Sequence, residues 1–325
     1  MHKSFVKYFI DIETGEPLEL IIDNSKGNFI ESGVLKSSQN QFPIIRGVPR
    51  FINERDNYSK SFGYQWSKWG KVQFESENID KPMQGHSSRM FNIITGNIMI
   101  DMNEDDLIID IGCGSGRFID VIKMKHNNRI IGIDYSNAVE TAHKNFKYDA
   151  NVCIIQADAL NLPFKSGTFN GSFSIGVLHH TPNPALGVKE AYRILKKGSW
   201  FAISVYSKKS YYDKPIVKYY RKIFIFLMPL FSFYPAILYS YIAIYFLRPI
   251  SKNIRVLRPM IMKLFPFVDL PDKKWSILDT FDSITPSYAS THDNNEVHDW
   301  LNNSGFINIV DTKWGSTSFF AKRPD

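Results

Sequence analysis

Cysteine is nearly missing from the chain, with Cys113 and Cys153 its two representatives. Each lies in an apolar, strand-like run rather than in a paired ligand spacing. That excludes a disulfide framework and a zinc ribbon, and no metal site is expected. An apolar signal core is lacking too, because the opening MHKSFVKYFIDIETGE reaches acidic residues at Asp11 and Glu13. A cytoplasmic location is therefore expected, with contact to the inner membrane surface left open by the charge pattern. Charge itself is missing from Ile223 to Leu247, a run bounded by Lys218, Arg221 and Lys222 before it and by Arg248, Lys252, Arg255 and Arg258 after it.

The basic excess is concentrated around that run. The chain has 39 Lys/Arg against 32 Asp/Glu; 15 of the former and three of the latter fall between Lys196 and Lys274, leaving 24 against 29 elsewhere. The apolar fraction of 44% and charged fraction of 22% are those of a globular protein and exclude a disordered one.

With 325 residues, one large domain plus an appendage is expected. Residues 1–53 read as a β-rich appendage, with short apolar runs at Phe5–Ile10, Leu18–Ile22 and Gly33–Leu35 before the phrase FPIIRGVPRFI, all punctuated by Gly and Pro. Residues 54–105 read as a helical lead-in. Its aromatics Tyr64, Trp66 and Trp69 either cover a bound ligand or pack between units. Residues 106–325 form the main domain, with an apolar, basic insertion at 207–277. From Leu107 the strands LIIDI, RIIGID, VCIIQAD, GSFSIGV and SWFAISVY alternate with helical segments, and FINIVDT and STSFFAKR add a final antiparallel pair. Short continuous apolar strands between helices predict an α/β fold: a doubly wound, mostly parallel seven-stranded sheet with ligands at its C-terminal strand ends.

Three loops at those ends carry chemistry. Asp110-Ile111-Gly112-Cys113-Gly114-Ser115-Gly116 follows the first strand and opens a helix. Glycines there let the backbone approach a ligand, and the helix start offers unpaired N–H groups. The dinucleotide fingerprint GxGxxG fails because Arg117 occupies its third glycine position. Asp134, 22 residues beyond Gly112, ends the next strand, with Tyr135 beside it; a carboxylate there accepts hydrogen bonds from ribose hydroxyls. Asp158 and the Ala159 backbone stand at the third loop, where an adenine amino group can donate.

The phrases LIIDIGCGSGRF, GIDYS, ADALNLPF, GVLHHTPNP and LKKGSWFAISVY, spanning about residues 107–206, resemble the class I S-adenosylmethionine-dependent methyltransferases. The likeness is greatest to the subgroup holding ubiquinone- and menaquinone-biosynthesis enzymes and tailoring enzymes of sugars and lipids. The resemblance implies a Rossmann-like methyltransferase fold with S-adenosylmethionine as cofactor. Asp110 and the loop through Gly112, Cys113, Gly114 and Gly116 would hold its methionine part, Asp134 its ribose, and Asp158 with Ala159 its adenine. The appendage resembles the small zinc-ribbon-derived domain that accompanies several methyltransferases, although it lacks every metal-binding cysteine.

Methyl transfer needs alignment more than covalent help, so no nucleophile or metal is required. A proton acceptor serves a hydroxyl nucleophile, and the pair His179-His180 follows a strand at the correct sheet edge; a histidine there can equally bond backbone or shape the pocket. The segment Leu278–Leu301 resembles a phrase before the last helix of some tailoring enzymes, which makes Tyr288 and His292 the candidates for substrate contact.

Ile223–Leu247 is long enough to cross a bilayer, but Pro229, Pro235 and four tyrosines weaken it. The strands after Asn294 must also rejoin the main sheet from the same side. A lid over the strand ends, resting on anionic lipid or wholly in solvent, is what remains. The acceptor expected is a small molecule with a hydrophobic part, lipid- or sugar-linked. RNA methylation is disfavoured because the basic residues flank an apolar run rather than spread over a polar surface. A non-catalytic, membrane-bound cofactor-binding adaptor is the third reading.

Overall fold

The computed structural model describes residues 1–52 and 59–325; the boundary expected at residue 53 lies outside them, as does the side chain of Arg255. Eleven strands and eleven α-helices follow in chain order among the described residues. Strands β1 (Glu19–Lys26), β2 (Phe29–Lys36), β3 (Gln41–Ile45) and β4 (Val48–Pro49) form an antiparallel meander. Helices α1 (Lys60–Trp69) and α2 (His86–Ile94) lead to the alternating unit: β5 (Leu107–Ile111), α3 (Arg117–Lys123), β6 (Arg129–Asp134), α4 (Ala138–Phe146), β7 (Val152–Gln156), β8 (Phe169–Ile175), α5 (Pro184–Ile194) and β9 (Leu195–Val205). Then come α6 (Pro215–Phe231), α7 (Tyr234–Ile242), α8 (Arg248–Asn253), α9 (Arg258–Leu264), α10 (Lys273–Ile284) and α11 (Asn294–Ser304). The hairpin β10 (Ile307–Asp311) and β11 (Thr317–Lys322) closes the chain.

The main sheet has seven strands in the order β10-β11-β9-β8-β5-β6-β7. The five strands from β9 to the β7 edge are parallel, and the final hairpin joins β9 antiparallel, as the sequence predicts. Side-chain alternation explains the layers. Ile109, Ile111, Ile131, Ile133 and Ile155 face α5, α11 and the N-terminal unit. Ile108, Ile130 and Ile154 face α2, α3 and α4. Because both faces are covered, each strand is apolar throughout instead of alternating with polar residues. The chain reverses its strand order between β5 and β8, and a ligand crevice opens beyond the carboxyl ends there.

One expectation for the N-terminal unit needs correction. Lys3–Tyr8 forms a 3₁₀ turn rather than a strand, capped by the His2 ring accepting from Ser4 N. Phe5 and Phe9 point into the core and Phe9 packs on Phe164 at 5.8 Å, so burial of two rings on one side outweighs strand pairing. Phe51 N donates to Gln156 O at 2.8 Å and the Arg50 side chain donates to Gln156 and pairs with Glu140, fastening the unit to the free edge of β7.

Among the described residues no helix is long and apolar enough to cross a membrane. The uncharged run is broken at Ser232, whose φ of 53° is a left-handed conformation that an α-helix cannot carry. It continues as α7 and a π turn over Ala243–Leu247.

Candidate active site

The loop between β5 and α3 hangs from β6. Gly112 N and Cys113 N both donate to Ile133 O, at 2.8 and 2.7 Å, and Gly114 N donates to Asp134 Oδ2 at 2.9 Å. Asp134 Oδ1 accepts from Ser136 N and Oγ at 2.8 and 2.6 Å. Burial raises the Asp134 carboxyl above its usual range, and these hydrogen bonds hold it back. The glycines are demanded by backbone and by neighbours. Gly112 and Gly114 have φ of 86° and 54°, and a Cβ would come within 2.2 Å of Val177 at the first and 2.8 Å of the Trp66 indole at the second.

A cavity of about 310 Å³ opens above this loop at the strand ends. Of the expected cofactor residues, Gly112, Cys113, Gly114, Asp134, Tyr135 and Ala159 form its wall. Three expected residues lie behind it. Gly116 starts α3 against Phe146, and Asp158 accepts from Leu160 N at 2.8 Å. Asp110 sits under the loop, with Oδ2 buried and lacking a hydrogen-bond partner among the described residues. Burial and the neighbouring Asp134 push its carboxyl well up.

The two histidines separate. His179 is fully buried, neither ring nitrogen has a hydrogen-bond partner among the described residues, and its ring lies 3.8 Å from that of Tyr206. Burial holds it far below the ordinary histidine value, so it is neutral. His180 reaches the cavity wall. Its Nδ1 bonds the Tyr288 carbonyl at 2.7 Å, so Nδ1 carries the proton and Nε2 is left as the acceptor. Tyr288 and His292 are outside the wall. Both His292 nitrogens are engaged at 2.8 Å, by Glu296 and Ser290, and its ring stands edge-on to Trp300 at 4.6 Å. The aromatics of α1 also divide: Trp66 lines the cavity, while Tyr64 and Trp69 pack against Phe281.

The same cavity holds a polar group that the sequence did not single out. Trp275, Leu278, Asp279 and Asp282 of α10 face the cavity together with Gln73, Arg117, Tyr206 and Tyr212. Their spacing of three, one and three places the α10 residues on one helical face, which was a readable signal. Tyr206 donates to Asp282 Oδ2 at 2.8 Å and stacks on Tyr212 at 3.7 Å.

Sheet order and the glycine loop at the strand ends together define a Rossmann-like fold of the methyltransferase type. Residues 109–203 match the family described as "Methyltransferase domain". Over those residues the chain carries a methyltransferase domain. The chain is 30% identical over 130 residues to a tRNA (carboxymethyluridine(34)-5-O)-methyltransferase of Xenopus tropicalis, covering 39% of this chain and 20% of that protein. It is 26% identical over 158 residues to the 24-methylenesterol C-methyltransferase 2 of Arabidopsis thaliana, covering 47% and 43%. A putative S-adenosylmethionine-dependent methyltransferase from Methanococcus maripaludis superposes with a TM-score of 0.44 at 16% identity, covering 85% of this chain and 98% of that one. The match thus spans about a fifth of the first curated relative and under half of the second.

Proposed function

We propose that the protein methylates a small acceptor with a hydrophobic part, lipid- or sugar-linked, met at an anionic membrane surface. The observation that carries this is the face of α6 and α7. Phe226, Leu230 and Tyr234 are 76, 71 and 74% exposed, with Phe231, Leu238 and Tyr241 beside them. Apolar surface on this scale marks an interaction site, and a helical pair with a basic border fits the interfacial region of a bilayer. Lys218, Lys222, Lys252, Arg258 and Lys263 are exposed around it. Arg221 and Arg248 are not part of that border: they turn inward, to Ser283 O and to Asp269. The division into residues 1–53, 54–105 and 106–325 belongs to the same reading, with 207–277 as lid.

The cavity residues fit S-adenosylmethionine. Asp134 would take the ribose hydroxyls, Ala159 with Asp158 behind it the adenine, and Asp110 with the loop Gly112–Gly116 the methionine part; Tyr135 borders the nucleoside. The unpartnered Asp110 oxygen under the loop suits a cationic group nearby. When bound, the sulfonium supplies an electrophilic methyl group. The protein's part is alignment and exclusion of water, by Trp66, Trp275 and Trp314 on the wall. His180 contacts the acceptor through Nε2, and His179 backs it.

A second reading has a specific observation behind it, because tRNA methyltransferases stand among the relatives beside the sterol enzyme. The relatives support the two acceptor classes alike; the apolar face favours the lipid-linked one. Co-sedimentation separates them. Vesicles of phosphatidylcholine with about a third phosphatidylglycerol are expected to retain the protein, and pure phosphatidylcholine to retain much less. Binding of tRNA with a steep salt dependence, and no retention on either vesicle, would favour RNA instead.

A further inference from the structure

We propose that Asp279 is the proton acceptor of this site and that the group methylated is a hydroxyl; this rests on the methyl-transfer reading above. Asp279 lines the same cavity as Asp134. Its Oδ1 accepts from Gln73 Nε2 at 2.9 Å, and Gln73 Oε1 in turn accepts from Arg117 Nη1 at 3.3 Å. Ser87 fixes both partners, accepting from Arg117 Nε at 2.9 Å and donating to Gln73 O at 2.7 Å. Gln73 and Ser87 are buried, so this chain of contacts holds the carboxylate in one place. The remaining guanidinium nitrogen, Arg117 Nη2, is buried with no hydrogen-bond partner among the described residues, which is the mark of a chamber built for a polar guest.

The chemistry of the wall selects the guest. Asp279, Asp282 and His180 offer acceptor atoms for a nucleophile that carries a proton, as carbon nucleophiles do not, and among such nucleophiles a hydroxyl, unlike a neutral amine, needs a base during the transfer. As the hydroxyl oxygen bonds the methyl carbon, the carbon–sulfur bond breaks with its electron pair staying on sulfur, and the hydroxyl proton passes to Asp279. The positive sulfonium and negative carboxylate become a neutral sulfide and a neutral acid. Loss of two opposite charges is favoured in an enclosed, poorly solvated space. Burial and the neighbouring Asp282 push Asp279 up to about 7, with Arg117 and Gln73 opposing them. A base matched to neutral pH is the efficient one, whereas burial lowers His180 and weakens it as a base.

The test has one arm that needs no acceptor. In full-length protein labelled with [4-¹³C]aspartate and saturated with S-adenosylhomocysteine, the carboxyl resonance missing from Asp279→Asn should titrate near pH 7, and at lower pH in Asp282→Asn. Titration below about 5, the ordinary range, overturns the proposal even if the cofactor binds. The second arm follows labelled methyl transfer from S-adenosylmethionine into a total lipid extract. Asp279→Asn should slow it by about 10²–10⁴-fold and abolish its rise with pH, with Asp279→Glu restoring part of both and S-adenosylhomocysteine affinity changed less than about threefold. An unchanged rate and pH profile in Asp279→Asn, with loss in His180→Gln instead, assigns the proton to His180 and sinks the proposal. Failure of the wild type to bind S-adenosylhomocysteine is a different result, and defeats the parent reading.

Discussion

Asp134 shows how one side chain can serve two masters. Its carboxylate fixes the glycine loop through Gly114 N and the start of the next turn through Ser136, while one side still borders the cavity. Replacing it removes a loop anchor and, on the proposed reading, the ribose contact at once. Asp134→Ala is expected to weaken S-adenosylhomocysteine binding at least about 100-fold by calorimetry, since hydrogen bonds to a charged group contribute about 1.5–3 kcal/mol each. His143 makes a different statement about pH. Burial first, then the nearby N-terminal ammonium, Lys147 and Arg50, hold it down to about 4 from 6.5. The unfolded chain therefore binds this proton more readily than the folded one. Stability due to the neutral ring is complete above about pH 6.5 and is lost as pH falls toward 4, at up to about 1.4 kcal/mol per pH unit. Urea midpoints recorded from pH 7 to 5 should fall, and fall less steeply in His143→Gln.

At the level of elements, the α6–α7 pair is poised for an interface, and its prediction is made there. Leu230→Asp with Phe226→Asp should reduce retention on anionic vesicles by more than about tenfold and leave S-adenosylhomocysteine affinity unchanged, because both side chains point away from the cavity. Equal retention of wild type and variant would locate the contact elsewhere. The same elements show what a sequence can reveal. LIIDI, RIIGI and VCIIQ were legible because strands covered on both faces have only one kind of residue to use. Phe5–Ile10 was not, since its apolar residues fill a pocket under a 3₁₀ turn and alternation imitates a strand. Tyr288 and His292 were chosen because their segment resembles a phrase before the last helix of some tailoring enzymes, and in the fold His292 bonds Glu296 and Ser290. Asp279 and Asp282 escaped notice because acids on a helix read as its solvent side, although their spacing with Trp275 and Leu278 puts all four on the one face that lines the cavity.

Across the whole molecule, the N-terminal meander and the main sheet share one core: Phe5, Phe9 and Leu35 belong to the same buried cluster as Phe164 and Ile155. They are expected to unfold together. Phe164→Ala, which empties the contact between them, should cost about 3–5 kcal/mol and lower a single calorimetric transition; two separated transitions would show the meander to be independent. Another connection runs through α1. Tyr64 on one side of that helix packs at a tilt against Phe233 at the turn between α6 and α7, at 4.7 Å, while Trp66 on another covers Gly114. Whatever steadies the helix from one side prepares it for the other, and such coupling is reciprocal. Lipid and nucleoside would then act as each other's effectors: vesicles should tighten S-adenosylhomocysteine by the same factor by which S-adenosylhomocysteine tightens vesicles.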